Sequence, residues 1–521
     1  MPEVLRSLVF VLFCATAVFL TCRPGLAPLF PSDEFTRFRN SWIGATIVAF
    51  VSGSFWIFVI GTTVAAFLLH RRSASPAALF PGLLLCLPAY GADIPGFGLV
   101  NYLFHLNVPR LLALVLLLPA AFLMLRTHAS RTPRVRGPDG FFAAYALLQL
   151  ALASRQDSIT NAMRVAFMIF TDMVLPYYVL SRALQSRAAL RQALAGVLAG
   201  ALVLSAVAAV EFAKQWLVYS SLGGAWGVRD APNHYLGRSG FLRVRATAGH
   251  PIALGFVVLV GTSALLAFRQ TMRVRWRRIF SVVLAFGLFF PISRGPWLGA
   301  AAMLCIYIST GTAVLKNLTK AAAAGAGLLL AIGMAPGGDR LVRLLPFVGD
   351  VEKESIDYRQ QLLEASLTLL AEHPMLGPPD YRGRLAQAGL VQGEGIVDIV
   401  NTYVRVALDS GVIGLGLFSA FFLSTMWAVL GARRQSAPLP QDAVALDNVG
   451  RGLVAGLVGI AITIATVSSI SVIPWLYWTY AGLCVAYVRI VQAEVVRAPR
   501  PARPSPTRSQ LPVRGNHVAG F

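Results

Sequence analysis

Charge is scarce in this sequence. Only 13% of its residues are Asp, Glu, Lys or Arg, where a soluble domain carries about 25%, and that scarcity excludes an ordinary water-soluble fold. Acid is the scarcer sign, with 23 Asp and Glu against 45 Lys and Arg and a net charge of +22. Cysteine is scarce as well. Cys14, Cys22, Cys86, Cys305 and Cys484 sit in or beside apolar blocks with no paired spacing, which excludes a disulfide framework and a zinc site. No convincing small-residue cleavage site follows the apolar run of residues 5 to 21, so an uncleaved first helix is expected there rather than a secretory signal.

What is abundant is apolar: 56% of the chain is hydrophobic and its mean hydropathy is +0.66. The fold class this predicts is an all-α polytopic membrane protein. About fourteen blocks approach the roughly 20 apolar residues that a spanning helix needs. They centre near residues 12, 56, 83, 117, 147, 171, 201, 259, 285, 304, 328, 415, 459 and 481, with those near 83, 147 and 285 short, so 12–14 transmembrane helices are expected. In a soluble protein the net charge would suggest nucleic acid, but here the basic residues alternate between loops and no nucleic-acid partner is expected. Arg71 and Arg72, Arg126 to Arg136, Arg182 to Arg191, Arg269 to Arg278, Lys316 and Lys320, Arg433 and Arg434, and the tail fall on one side of the count. The positive-inside rule places them in the cytoplasm, with both termini inside and residues 22 to 41 outside.

The chain divides into N-terminal membrane helices over 1–336 with an external loop at 214–249, a large external loop over 337–399 with an amphipathic helix, C-terminal membrane helices over 400–491, and a basic tail over 492–521. The tail is rich in Pro, Arg and Ser and reads as disordered beside anionic lipid. External loops are normally poor in arginine, yet 214–249 holds Arg229, Arg238, Arg243 and Arg245. Binding an anion is the simplest reason for them. The i, i+2 spacing of Arg243 and Arg245 would point both the same way on an extended strand, and the alternative is pairing with Asp230 or lipid headgroups. Arg294, in the turn Pro291-Ile292-Ser293-Arg294-Gly295-Pro296-Trp297, is costly at membrane depth and needs a partner, either an anionic ligand or a structural pair.

From Ile356 to Leu370 the periodicity is helical, with Asp357, Gln360, Gln361, Glu364 and Thr368 on one face and Leu362, Leu363, Leu367 and Leu370 on the other. Such a helix suits the membrane surface, with Arg359 at the edge of its apolar stripe. His373-Pro374 stops it. Past Gly395 the chain re-enters the membrane with Asp398, Asn401, Arg405 and Asp409 along a polar stripe, and ionisable residues there are functional by default.

Three stretches resemble the O-antigen ligase and polysaccharide polymerase superfamily of bacterial membrane proteins. They are Ser293-Arg294-Gly295-Pro296-Trp297-Leu298-Gly299; Tyr358-Arg359 followed by Glu372-His373-Pro374-Met375-Leu376-Gly377; and Asn401-Thr402-Tyr403 with Asp409-Ser410-Gly411-Val412-Ile413-Gly414-Leu415. The stretch from Arg243 to Leu254 is similar to members that polymerise exopolysaccharide. The resemblance implies a metal-independent glycosyltransferase without a cofactor, in the bacterial inner membrane with its active face periplasmic. It would move glycan from an undecaprenyl diphosphate carrier to a sugar acceptor, among membrane lipids and other polysaccharide-assembly proteins.

On this reading Arg243, Arg245, Arg294 and Arg359 hold the diphosphate, and Asn401 and Tyr403 shape the site. The family's histidine before the asparagine is Val400 here, so Asp398 and His373, with Glu394 third, are the expected helpers of the acceptor hydroxyl. Arginine forks can take up a diphosphate leaving group's charge without metal, and a carboxylate or imidazole can take the proton. Ligase and peptidoglycan-strand polymerase remain alternatives within the enzyme class. A lipid-linked glycan flippase is the rival from another class, although the 291–417 pattern has no second copy of the kind transporters carry. A purely structural scaffold fits the external arginines least, because they are costly to keep without a ligand.

Overall fold

In a computed structural model the apolar blocks become helices. The residues it describes are 3–31, 33–98, 100–126, 135–228, 235–238, 240–311, 313–334, 353–391, 397–436 and 443–497. Among them, seven helices are long and apolar enough to cross a membrane: Glu3–Thr21, Val108–Arg126, Ile159–Ala183, Arg187–Lys214, Thr402–Ser436, Val444–Ile464 and Ile473–Arg497. Phe55–His70 and Pro251–Ala267 are apolar but shorter. The described strands form two small antiparallel hairpins, Gly91–Pro95 with Tyr102–Asn107 and Gly237–Arg238 with Phe241–Leu242.

The Arg187–Lys214 helix is the axis of the bundle. Its sequence is apolar all round, which is the pattern of a helix covered on every side, and it is buried from Gln192 through Ser205. Ser186 caps its start by accepting the Ala189 N–H at 3.1 Å, and Gln215 ends it in the left-handed region. Its 28 residues span about 42 Å, so its two ends mark the two faces of the bundle. Against it runs the block near residue 83, which is no full helix. Its short helices Pro76–Leu79 and Phe80–Leu83 and the extended chain after them run from the Arg187 end, where the Ala74 N–H meets Glu34, to the Lys214 end, where Tyr90 donates to the Tyr219 carbonyl. Irregular backbone at that depth has to be covered by protein, and residues 77 to 88 are buried.

The N-terminal third corrects the expected topology. The block centred near 56 is two helices, Glu34–Val51 and Phe55–Arg72, because Ser52 closes the first on the Val48 carbonyl and Ser54 caps the second at Ile57. That adds one reversal. Arg191 donates to the Leu29 carbonyl and Gln192 to Glu34, so residues 22 to 34 lie at the Arg187 end with Arg23 and Arg37. Glu3 meets Trp216 at the Lys214 end, whereas Glu494 pairs with Arg187. The first helix therefore starts at the end of the bundle opposite to where helix Ile473–Arg497 finishes.

The helix Lys353–Glu372 packs with Tyr381–Gln387 against the start of Thr402–Ser436. Its buried stripe is Leu362, Ser366 and Leu369, covered by Tyr381, Leu385, Leu390, Ile399 and Leu408. Leu363 and Leu367 are exposed, so the apolar face is split: one edge packs on protein and the other is open.

Candidate functional site

The site is built from Glu211 outward. This fully buried carboxylate accepts the Val218 N–H (3.1 Å) on one oxygen and the Arg245 and Ala246 N–H groups (3.0 and 2.9 Å) on the other. It thereby pins both ends of the loop that follows the central helix. Between the pins, the hairpin carrying Arg238 and Arg243 folds back, with the Arg243 N–H on the Leu236 carbonyl at 2.9 Å. Arg243 Nε donates to the Pro291 carbonyl (3.4 Å) and Arg238 Nη1 to that of Ile292 (3.3 Å). Two arginines are thus brought to the turn that carries Arg294, the first residue of helix Arg294–Ser309.

Arg245 does not continue an extended strand. Its backbone turns (φ −135°, ψ −16°) into the short helix Ala246–Ala248, and the residue is buried while Arg243 is half-buried. The expected common strand face is therefore replaced by two distinct positions flanking His250. Burial first, and then the charges of Arg243 and Arg245, lower the His250 imidazole from 6.5 to about 3. Its Nδ1 accepts the Ile252 N–H at 3.2 Å, which puts the proton of the neutral ring on Nε2.

A neutral His250 makes stability depend on pH. Its contribution is fully present above 6.5 and is lost as pH falls toward 3, because the unfolded chain takes up a proton that the native state refuses. The slope reaches about 1.4 kcal/mol per pH unit for one proton. His250→Asn supplies an oxygen in place of Nδ1 as the capping acceptor and is expected to flatten the fall in melting temperature between pH 6.5 and 4. A variant falling as steeply as wild type would refute the assignment.

The fourth cation comes from another segment. Arg359, in helix Lys353–Glu372, lies within electrostatic reach of Arg238 and Asp398. Desolvation and then the Arg238 charge lower its guanidinium from the ordinary value, and Asp398 acts the other way. Tyr358 donates to the Asp398 carbonyl at 3.3 Å, which ties this helix to the start of the next. A cavity of about 210 Å³ lies here, lined by Arg359, Val400, Asn401 and Thr466 among others. Asn401 caps helix Thr402–Ser436, its Oδ1 accepting the Tyr403 and Val404 N–H groups (2.9 and 3.3 Å). Val400, where the resemblance expects histidine, lines the same cavity.

Two expected site residues are not brought in. Tyr403 donates to the Ala461 carbonyl and packs edge-on against Phe418, so it points between helices and not into the cavity. His373 is exposed just past the far end of the helix that carries Arg359, about 20 Å along it at 1.5 Å per residue. There the Pro374 and Met375 carbonyls accept the Val412 and Ile413 N–H groups, which makes the His373 motif a joint between helices. Glu394 and Arg229 lie outside the described residues.

The reading of the sequence missed the loop 465–472. Thr402 donates to the Val467 carbonyl (3.0 Å) and Arg405 Nη1 to that of Ser469 (2.8 Å). A Cβ on Gly295 would sit 2.6 Å from Thr466 Oγ1, and Ser471 donates to the Ala248 carbonyl. This one loop touches all three arginine-bearing neighbourhoods. Its signal was four hydroxyl side chains in the six residues Thr466 to Ser471, between two apolar blocks.

The assembled site brings Arg238 and Arg243 to the turn that opens at Arg294, with Arg359 and Asp398 within electrostatic reach, at the Lys214 end of the bundle, a set of groups suited to a multiply charged anion. The class of the protein that follows is a mostly helical polytopic membrane protein, with seven helices among the described residues long and apolar enough to cross a membrane. No protein-family model matches the chain, and no curated protein matches it in sequence.

Proposed function

We propose that this chain is a metal-independent glycosyltransferase of the bacterial inner membrane, similar to the O-antigen ligase and polysaccharide polymerase superfamily. It extends or transfers undecaprenyl-diphosphate-linked oligosaccharide at the periplasmic face. The observation that supports this reading is the approach of Arg238 and Arg243 to the turn that opens helix Arg294–Ser309, with Arg359, from a third stretch of chain, in electrostatic reach of Arg238 and Asp398. With the arginine-rich loops in the cytoplasm, the site would face the periplasm, on the side where the first helix begins.

The chemistry follows from the groups present. The acceptor hydroxyl oxygen attacks the anomeric carbon, the bond from that carbon to the diphosphate oxygen breaks, and the electron pair leaves with the diphosphate. Fixed guanidinium forks take up the charge that develops there. Asp398, the helper that stands beside Arg359, receives the hydroxyl proton. His373 is too far along its helix to share that task.

The test is transfer by purified protein from a polyprenyl-diphosphate oligosaccharide with EDTA present, comparing wild type with Arg294→Ala. Longer lipid-linked chains from wild type and none from the variant are expected for a polymerase. Transfer confined to a lipid A-core acceptor would make it a ligase. Absence of transfer together with intact flipping of labelled lipid-linked glycan would overturn the enzyme reading.

A further inference from the structure

At the opposite end of the bundle lies a second set of arginines that glycan transfer does not use. Between helices Arg136–Leu152 and Ile159–Ala183 runs a slot of about 620 Å³, with Arg136 and Arg182 at its mouth and Ala143, Ala146, Leu147 and Val174 further in. From Arg136 to Leu147 it rises about 16 Å at 1.5 Å per residue, half the roughly 30 Å of a hydrocarbon core. On the other side of Arg182 is a cavity of about 340 Å³ lined by Arg182, Arg489 and Arg497 with Gln185 and Gln492.

Asp139 stands between the two. Its carboxylate is shared by Arg182 (3.2 Å) and Arg489 (2.7 Å), both about nine-tenths buried, and accepts the Tyr177 hydroxyl at 2.9 Å. Four arginines and this one carboxylate therefore line a joint that is basic at the membrane surface and apolar for the depth of one leaflet. A soluble anion would use the basic end and leave the apolar slot unfilled. A zwitterionic lipid would fill the slot and bring its own cation to the arginines.

We propose that this joint binds one anionic phospholipid of the arginine-side leaflet, with its phosphate at Arg182, Arg136 and Arg497 and an acyl chain in the slot beside Ala143 and Leu147. Basic pockets between helices select such headgroups by charge, and each arginine near an anionic surface is worth roughly fivefold in affinity. The bound lipid ties the Arg136–Leu152 helix to Ile159–Ala183, so it stabilises the folded protein by mass action.

The experiment uses the full-length protein, purified in detergent and stripped of lipid. Melting temperature and native mass spectrometry are read with phosphatidylglycerol, with phosphatidylcholine of the same chains, and with inorganic phosphate. Phosphatidylglycerol is expected to raise the melting temperature and to be retained at one per chain, while the other two have little effect. The double variant Arg136→Gln with Arg497→Gln leaves the Asp139 cluster whole, and should weaken phosphatidylglycerol binding about 25-fold with the lipid-free melting temperature unchanged. Equal stabilisation by inorganic phosphate would make this a soluble-anion site and overturn the lipid. Equal stabilisation by phosphatidylcholine would overturn the charge selection, and a double variant that binds like wild type would overturn the location.

Discussion

Replacing Arg359 by Ala is expected to cut polyprenyl-diphosphate-dependent transfer by about 100-fold or more, the loss typical of one preorganised donor to a developing negative charge. The protein should remain fully folded. Arg359 is only partly covered by protein, and its guanidinium lies within electrostatic reach of that of Arg238. That pair is mildly repulsive, so removing Arg359 leaves the melting temperature unchanged or slightly higher, as is common where function is kept at some cost to stability. Arg359→Lys keeps the charge but loses the planar fork, and should fall between wild type and Ala. Steady-state transfer and thermal unfolding on the same preparations check both halves. Near-normal transfer by Arg359→Ala would place the diphosphate elsewhere and leave Arg238, Arg243 and Arg294 with a structural role at the turn they staple.

Parts of this arrangement were legible in the sequence for a definite reason. Arginines in a loop that should be poor in them are anomalous whatever the fold, which singled out Arg243; Arg294 stood out by its cost at membrane depth and Arg359 by its place at the edge of an amphipathic stripe. Arg238, in the same loop, was seen but not singled out, because only its hairpin partner Phe241 and the Ile292 carbonyl give it a direction. The spacing of Arg243 and Arg245 misled, since an i, i+2 pair shares a face only if the backbone stays extended, and the Glu211 clamp turns it at Arg245. The topology failed at one place. Ser52-Gly53-Ser54 lies inside an apolar run where small polar residues are also tolerated within a helix, so two antiparallel helices read as one.

Gly411→Ala is expected to destabilise the protein by more than about 3 kcal/mol, because two penalties fall on one residue. The backbone there has φ 68° and ψ −170° in the middle of helix Thr402–Ser436, a conformation open to glycine and closed to residues with a Cβ. An added Cβ would also run into the Met375 carbonyl and the Leu376 nitrogen. The break is used. It frees the Val412 and Ile413 N–H groups, which bond to the Pro374 and Met375 carbonyls at 2.8 and 3.4 Å, and Arg155 holds the same turn through the Leu376 and Gly377 carbonyls. Gly377 faces the break with φ 77°, its own Cβ position occupied by the Leu408 carbonyl. The motif with His373 and the motif with Asp409 are thus two halves of one joint, which aligns the helix bearing Arg359 along the helix bearing Asn401. Gly416→Ala is the control: it lies in the same helix, its added Cβ meets nothing within 4 Å, and replacing a helical glycine by alanine favours the helix by up to about 1 kcal/mol. Folded yield and melting temperature in detergent should collapse for Gly411→Ala and hold for Gly416→Ala. Equal stability of the two variants would mean that the helix passes residue 411 unbroken, and that Arg359 is positioned by contacts other than this joint.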